Sequence, residues 1–461
     1  MRNTSNLGRF LANSSIWSLA GQIVSTAATL IFFAVLTRTL SPSDIGTFML
    51  LMNVVMLASL AGMFGVELTM VRSISSDLGA KKPGAVAVTV LSGNTVVLFL
   101  SLLVGIALVS PAGAAMFVHI FDIAASRNMV LVTGCWLVLH CCHTAVTQSL
   151  RGFHDIKFAT IYGAAVKNTF QVLLIVICVA VLETVSIEMA VGVINISLLV
   201  TTILAIRHLN THLQSLGVPG KVSPESASSL IRQSIPIFFT MLSYQLFLRA
   251  GIFVLGYFVA KDELALYGAA LQLVVLIVIP LRIVNSVLPP IMSNMYFNEN
   301  NHTKLEDTIR SVTTIASLPA LFAILAIILF GDKILVLTYG DFYAKGHFLL
   351  SLLALGALSD VVLGPAGFLL TMTNNQGILL KIQTISIVLV LILLVIAAKI
   401  LGLTGVALVA GLSIVIQNTV TLLVTKKATG ILCCMYLAPR KLVSVAIGVK
   451  NLSTSMVGKT Q

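Results

Sequence analysis

Five ionisable side chains stand inside or beside long apolar stretches: Glu67, Lys167, Arg249, Arg282 and Asp360. Arg249, in "FLRAGIFV", is the only charge between Ile235 and Ala260. A guanidinium keeps its proton away from water, so it enters such a stretch as a cation. Placing a charge mid-membrane costs about 2.5–3.5 kcal/mol on insertion scales, and such residues are functional candidates by default. The three bases outnumber the two acids, so the interior they share is net positive. A positive, wet interior suits an anion, because charge-assisted hydrogen bonds replace the hydration it loses.

Helical spacing groups these charges with other polar residues. Gly163, Lys167 and Gln171 form one stripe, with Asn168 beside it, and Gln245 lies one turn before Arg249. Arg282 aligns with Asn285 and Ser286, and Asp360 with Gly356, Gly364 and Gly367. The first apolar stretch carries Ser18, Gln22, Ser25 or Thr26, and Thr29 along one side. Lys167, Arg249, Arg282, Gln22, Gln245 and Gln171 are therefore expected to contact a substrate. Asp360 and Glu67 are the candidates for ion coupling, with Glu67 expected to reach the cytoplasmic interface. The structural alternatives are a salt bridge from Arg249 to Asp360, and a snorkelling Arg282. In "HCCH" (140–143) successive side chains fan by about 100° around a helix, so the four do not converge on one ion. No Walker A loop, nucleophile elbow or carboxylate dyad is found. Neither an enzyme, a metal site nor a cofactor is expected.

Composition dictates the elements that position these groups. Of 461 residues 58% are apolar and only 10% charged, with mean hydropathy +1.04. Soluble domains carry about 25% charged residues, so the apolar excess must face lipid. The expected fold is all-α: a polytopic membrane protein with twelve transmembrane helices in two six-helix bundles related by a parallel repeat. The expected spans are 14–37, 44–70, 85–110, 129–150, 158–181 and 186–206, then 234–260, 263–289, 308–330, 347–373, 379–400 and 403–425. This gives an N-terminal bundle at 1–206, a cytoplasmic linker at 207–233, a C-terminal bundle at 234–425 and a basic cytoplasmic tail at 426–461.

Charge sets the orientation. With the N-terminus in the cytoplasm, nineteen of the 28 Lys and Arg fall in cytoplasmic segments and six outside. That is the positive-inside bias of a multi-pass protein with both termini cytoplasmic, and it accounts for the +12 net charge without nucleic acid. The six cysteines form no disulfide framework. The repeat shows in "LSPSDIGTF" (40–48) and "VAKDELALY" (259–267), and in the turn at 151–157, which recurs near 371–377.

"LTRTLSPSDIGTFMLL", "VLGYFVAKDELALYGAALQL", "VNSVLPPIMSNM" and "ILVLTYGDFYAKG", in this order and spacing, resemble Wzx-type polysaccharide flippases. That group belongs to the multidrug/oligosaccharidyl-lipid/polysaccharide exporter superfamily. The likeness covers roughly residues 8 to 430. It implies a flippase for undecaprenyl-pyrophosphate-linked oligosaccharide units, including those of O-antigen lipopolysaccharide, in the bacterial cytoplasmic (inner) membrane. It is expected to work by alternating access through a cationic central cavity. The implied partners are the lipid-linked oligosaccharide, membrane lipids, a polysaccharide polymerase and a chain-length regulator. The alternatives are a peptidoglycan lipid-precursor flippase, a cation-coupled multidrug exporter of the same superfamily, and a membrane-embedded oligosaccharide polymerase or ligase.

Overall fold

Within hydrocarbon, backbone N–H and C=O groups find no water, so a chain this apolar satisfies them inside helices. The computed structural model describes residues 2–121, 126–182, 184–218, 220–297 and 302–436, and among these it contains helices and turns but no strand. The side chains of Ser18 and Ser286, and tail residues Arg440, Lys441, Lys450 and Lys459, lie outside the described residues. Among the described residues eleven helices are long and apolar enough to cross a membrane. The last of them, 54 residues long, bends at Gly402 (φ 57°, ψ −139°) between the eleventh and twelfth expected spans. The chain is a multi-pass membrane protein, and the bend divides this helix where two of the twelve expected spans meet.

The first compact unit covers residues 1–265. It begins with α1 (Arg2–Thr39), α2 (Pro42–Met63), α3 (Val66–Gly79), α4 (Pro83–Val109) and α5 (Pro111–Phe121). It continues with α6 (Arg127–Gly152), α7 (Ile156–Thr160), α8 (Lys167–Leu182), α9 (Ile187–Ser215) and α10 (Pro224–Phe258). Ser41 caps α2 by accepting from the Asp44 N–H at 3.2 Å, with Pro42 at the first helical position. The second expected span is broken: Phe64 and Gly65 both take left-handed conformations (φ 53° and 76°) and separate α2 from α3. The fifth is interrupted by a π-helical turn, Ile161–Val166, between α7 and α8.

Helix α10 packs on α2, α3 and α4. The Thr69 and Ser234 hydroxyls meet at 2.7 Å, and the Phe64 and Phe238 rings stack at 4.5 Å. The first residue of the next helix also stays in this unit: a Cβ added to Gly46 would lie 1.8 Å from the Lys261 carbonyl oxygen. The sequence division at 206 and 234 therefore differs from the unit boundary at 265, because α10 shares its buried surface with α2, α3 and α4. Helix α9 also runs on to Ser215, so residues 207–215 of the expected linker are helical.

The second unit, residues 266–461, holds most of α11 (Lys261–Phe297). After it come α12 (His302–Tyr339), α13 (His347–Leu363), α14 (Ala366–Met372) and α15 (Gln376–Thr429). The tenth expected span is broken like the second: Gly364 (φ 77°) and Pro365 separate α13 from α14. Helix α15 continues through Lys426 and Lys427, which were expected to start the tail, and ends at Gly430 (φ 75°). The next residues return onto the unit. The Met435 N–H donates to the Val362 carbonyl, the Tyr436 hydroxyl to Asp307 (2.5 Å), and the Arg310 guanidinium lies over the Tyr436 ring. Burial, with the Asp307 carboxylate beside it, pushes the Tyr436 phenol up to about 12.

Candidate functional site

The polar stripe of α1 meets α8 through Asn168. Its amide donates to the Ser25 hydroxyl at 2.8 Å and to the Thr29 hydroxyl at 3.1 Å. Gln22 sits one turn away, its amide 3.4 Å from the Thr26 hydroxyl. Asn168 thus holds the two stripes together, while Lys167, the preceding residue, is turned about 100° away. Lys167 is half-buried and is the first residue after the π-helical turn. Such turns recur at functional sites because the extra residue re-aims the following side chains. Gln171, one turn further along α8, is also half-buried.

Arg249 is half-buried on α10, and Gln245 stands one turn before it in a similar setting. The guanidinium donates to Asn53 Oδ1 of α2 at 2.5 Å, and its buried Nε has no partner among the described residues. Asn53 is 1% exposed, and its amide donates to the Met49 carbonyl, which leaves Oδ1 aimed at the arginine. The partner of Arg249 is thus a neutral amide and not a carboxylate, so its charge is not cancelled locally.

His140, on α6, lies within electrostatic reach of both Lys167 and Arg249. The first unit therefore gathers two cations and an imidazole from α6, α8 and α10. His143, one turn on, bonds the Thr202 hydroxyl through Nδ1 at 3.1 Å, and its buried Nε2 is unpartnered among the described residues. Cys141 points elsewhere, toward the Ser59 carbonyl. Buried polar atoms without partners are rare in folded proteins and mark places for water or ligand.

Glu67 is buried in the first unit. It is 4% exposed, in the first turn of α3 just past the break in the second span, and its Oε2 has no partner among the described residues. The left-handed pair at 64–65 starts α3 at Val66 and so places Glu67 at a helix N-terminus, where backbone N–H groups favour an anion.

In the second unit Asp360 lies in the last turn of α13, just before the break at Gly364. Asn418 and the charge of Arg282 both act on it, and the Asn418 amide donates to the adjacent Ser359 hydroxyl at 3.5 Å. The Arg282 side chain is exposed. The structure thus brings Lys167 and Arg249 together in one unit and sets Arg282 beside Asp360 in the other. Asn53 and His140 complete the first group. Their only sequence signals were a lone Asn in an apolar span and a histidine already noted in "HCCH".

Residues 11–296 match the family model described as polysaccharide biosynthesis protein. No curated protein sequence matches the chain. Among solved structures, an inward-facing multidrug resistance transporter of the MATE family, in the MOP superfamily, is similar with TM-score 0.71 and 16% identity, covering 90% of this chain and 98% of its own. An outward-facing multidrug resistance MATE transporter is similar with TM-score 0.63 and 18% identity, covering 91% and 95%. A MOP superfamily transporter from Pyrococcus furiosus, for which a reversed polarity of the binding pocket suggests a different function, has TM-score 0.65 and 15% identity over 91% and 95%. At these identities the likeness shows a shared fold.

Proposed function

The chain belongs to the polysaccharide biosynthesis protein family, and from that premise we propose a flippase that moves undecaprenyl-pyrophosphate-linked oligosaccharide units across the bacterial cytoplasmic membrane. One observation carries the reading. Lys167 and Arg249 converge electrostatically on His140 inside a membrane unit, and Arg249 is held by an amide and not by an acid. Two uncancelled cations at that depth need an anion to offset their burial. A pyrophosphate offers several acceptor oxygens for a guanidinium and an ammonium, while its polyprenyl chain stays in lipid. Gln22, Gln171 and Gln245 supply neutral hydrogen-bonding groups suited to sugar hydroxyls.

The protein works by alternating access, as an inner-membrane protein with both termini in the cytoplasm, the side that the Lys and Arg bias favours. Arg282 gives a further contact for the anion. Asp360 is the coupling-ion site: a carboxylate at a helix C-terminus, where free carbonyls also point, favours a cation. A polysaccharide polymerase and a chain-length regulator act on the units it delivers, O-antigen units among them. A cation-coupled drug exporter is the second reading. The acids Asp360 and Glu67 favour it, and Lys167 and Arg249 oppose it.

The test is translocation of lipid-linked oligosaccharide into vesicles containing the purified protein. Losing one charge-assisted hydrogen bond of about 1.5–3 kcal/mol lowers transport about tenfold to 100-fold in Arg249→Met and Lys167→Met proteins. Wild-type rates in both correctly inserted variants refute the reading. Drug sensitivity of a deletion strain with normal surface polysaccharide would favour the exporter.

A further inference from the structure

Away from the membrane charges, the turn after α6 meets the far end of α9. His208 and His212, in "RHLNTHLQ", are spaced i, i+4 and so share one helical face. Both point at Asp155, the residue that caps α7. Asp155 Oδ1 accepts from the Phe158 N–H at 3.2 Å, which fixes the carboxylate. Its Oδ2 lies 2.8 Å from His208 Nε2 and 2.9 Å from His212 Nε2. The three ligand-type atoms all lie within 4.8 Å of one another.

We propose that Asp155, His208 and His212 form a binding site for one divalent transition cation of the zinc class, clipping the turn between α6 and α7 to the end of α9. Two imidazoles and one carboxylate are a ligand set that zinc accepts in open sites, with water in the remaining position. Tetrahedral bonds of about 2.0–2.2 Å separate ligand atoms by about 3.3–3.5 Å. The two imidazoles therefore need to retreat from Oδ2 by only about half an ångström.

The surroundings suit the ion. Phe153 stacks on His212 at 5.1 Å, and Phe158 packs on His208 at 4.2 Å with Tyr162 at 5.9 Å. These rings hold both imidazoles in place and limit water on that side, the role outer groups play at metal sites. The opposite side is open: the Asp155, His208 and His212 side chains are 16%, 23% and 30% exposed. Burial works against the Asp155 charge, yet hydrogen bonds from His208, His212 and the Phe158 N–H hold its carboxyl below the ordinary aspartate value. The clip would also tether the chain just before the π-helical turn that leads to Lys167, though the proposal does not depend on the flippase reading.

The test is zinc binding by the full-length protein in lipid nanodiscs, purified without a histidine tag. Metal content is measured after dialysis, and Co²⁺ absorption reports the ligand field. One Zn²⁺ per chain is expected. Asp155→Asn keeps the helix cap but weakens the ligand. His208→Ala and His212→Ala each remove one. Changing outer partners alone weakens metal sites about tenfold to 100-fold, so losing a histidine ligand should lower zinc affinity at least about 100-fold. His119→Ala, on α5, is the control and binds as wild type. If the wild type takes up no more zinc than His212→Ala, or both histidine variants and Asp155→Asn retain wild-type affinity, the cluster is only a hydrogen-bonded contact and the proposal is overturned.

Discussion

The turn that follows α6 and the turn that follows α14 have the same backbone and different side chains. His154 and Asn374 both adopt the left-handed conformation, at φ 63° and 62°. The next residue's N–H reaches back to the carbonyl of Leu150 in one and Leu370 in the other, at 3.0 and 2.8 Å. Yet Asp155 turns its carboxylate to two histidines of α9, while Asn375 donates to the Thr373 carbonyl of its own turn. Positions 428 and 432, at the repeat offset from the two histidines, hold Ala428 and Leu432. The two broken spans, which the repeat does not relate, differ as well. Glu67 follows the break in the second span, at a helix N-terminus, and Asp360 precedes the break in the tenth, at a helix C-terminus. The repeated turn thus supplies equivalent backbone in both units, while the side chains at it, and the charges at the two unrelated breaks, differ.

The largest effect that tests this contrast is at the two acids. Asp360→Asn should cut gradient-driven translocation about tenfold or more, because the carboxylate at a helix C-terminus needs a cation. Glu67→Gln should change it less, because its charge is already favoured by the N-terminus of α3. Equal losses in vesicle transport would erase the distinction. Next come the two left-handed turn residues. His154→Val and Asn374→Val should each destabilise the protein by about 1–2 kcal/mol, since a β-branched residue resists positive φ. Thermal unfolding in detergent measures both, and unequal costs would show that the turns are not equivalent. The smallest effect is at the following position. In metal-free protein Asp155→Ala should cost about 1 kcal/mol through the lost α7 cap. Asn375→Ala should cost less, because Asn375 makes no side-chain cap to α15.

Lys167, Arg249 and Asp360 were legible as candidates because each breaks an apolar helical pattern, and the cost of a charge in lipid makes such breaks informative. The burial of Glu67 was not legible, because the left-handed pair at Phe64 and Gly65 that precedes it packs against Ser234 and Ile237 of α10. The Asp155 cluster escaped notice because His208 and His212 stood in a polar stretch resembling a linker, whereas α9 continues through both.

By itself the amino-acid order determined the helical class, the twelve spans, the repeat and the charges placed within membrane segments. Those properties are local: composition, period and the bilayer's intolerance of unpaired backbone groups decide them within a few turns of chain. Only the tertiary structure decided which polar groups meet. Arg249 finds Asn53 across 196 positions, and Asp155 finds His208 and His212 across 53 and 57. Partners so distant in sequence are chosen by how whole helices pack, and packing depends on the fit of many side chains at once, which no short stretch of residues encodes.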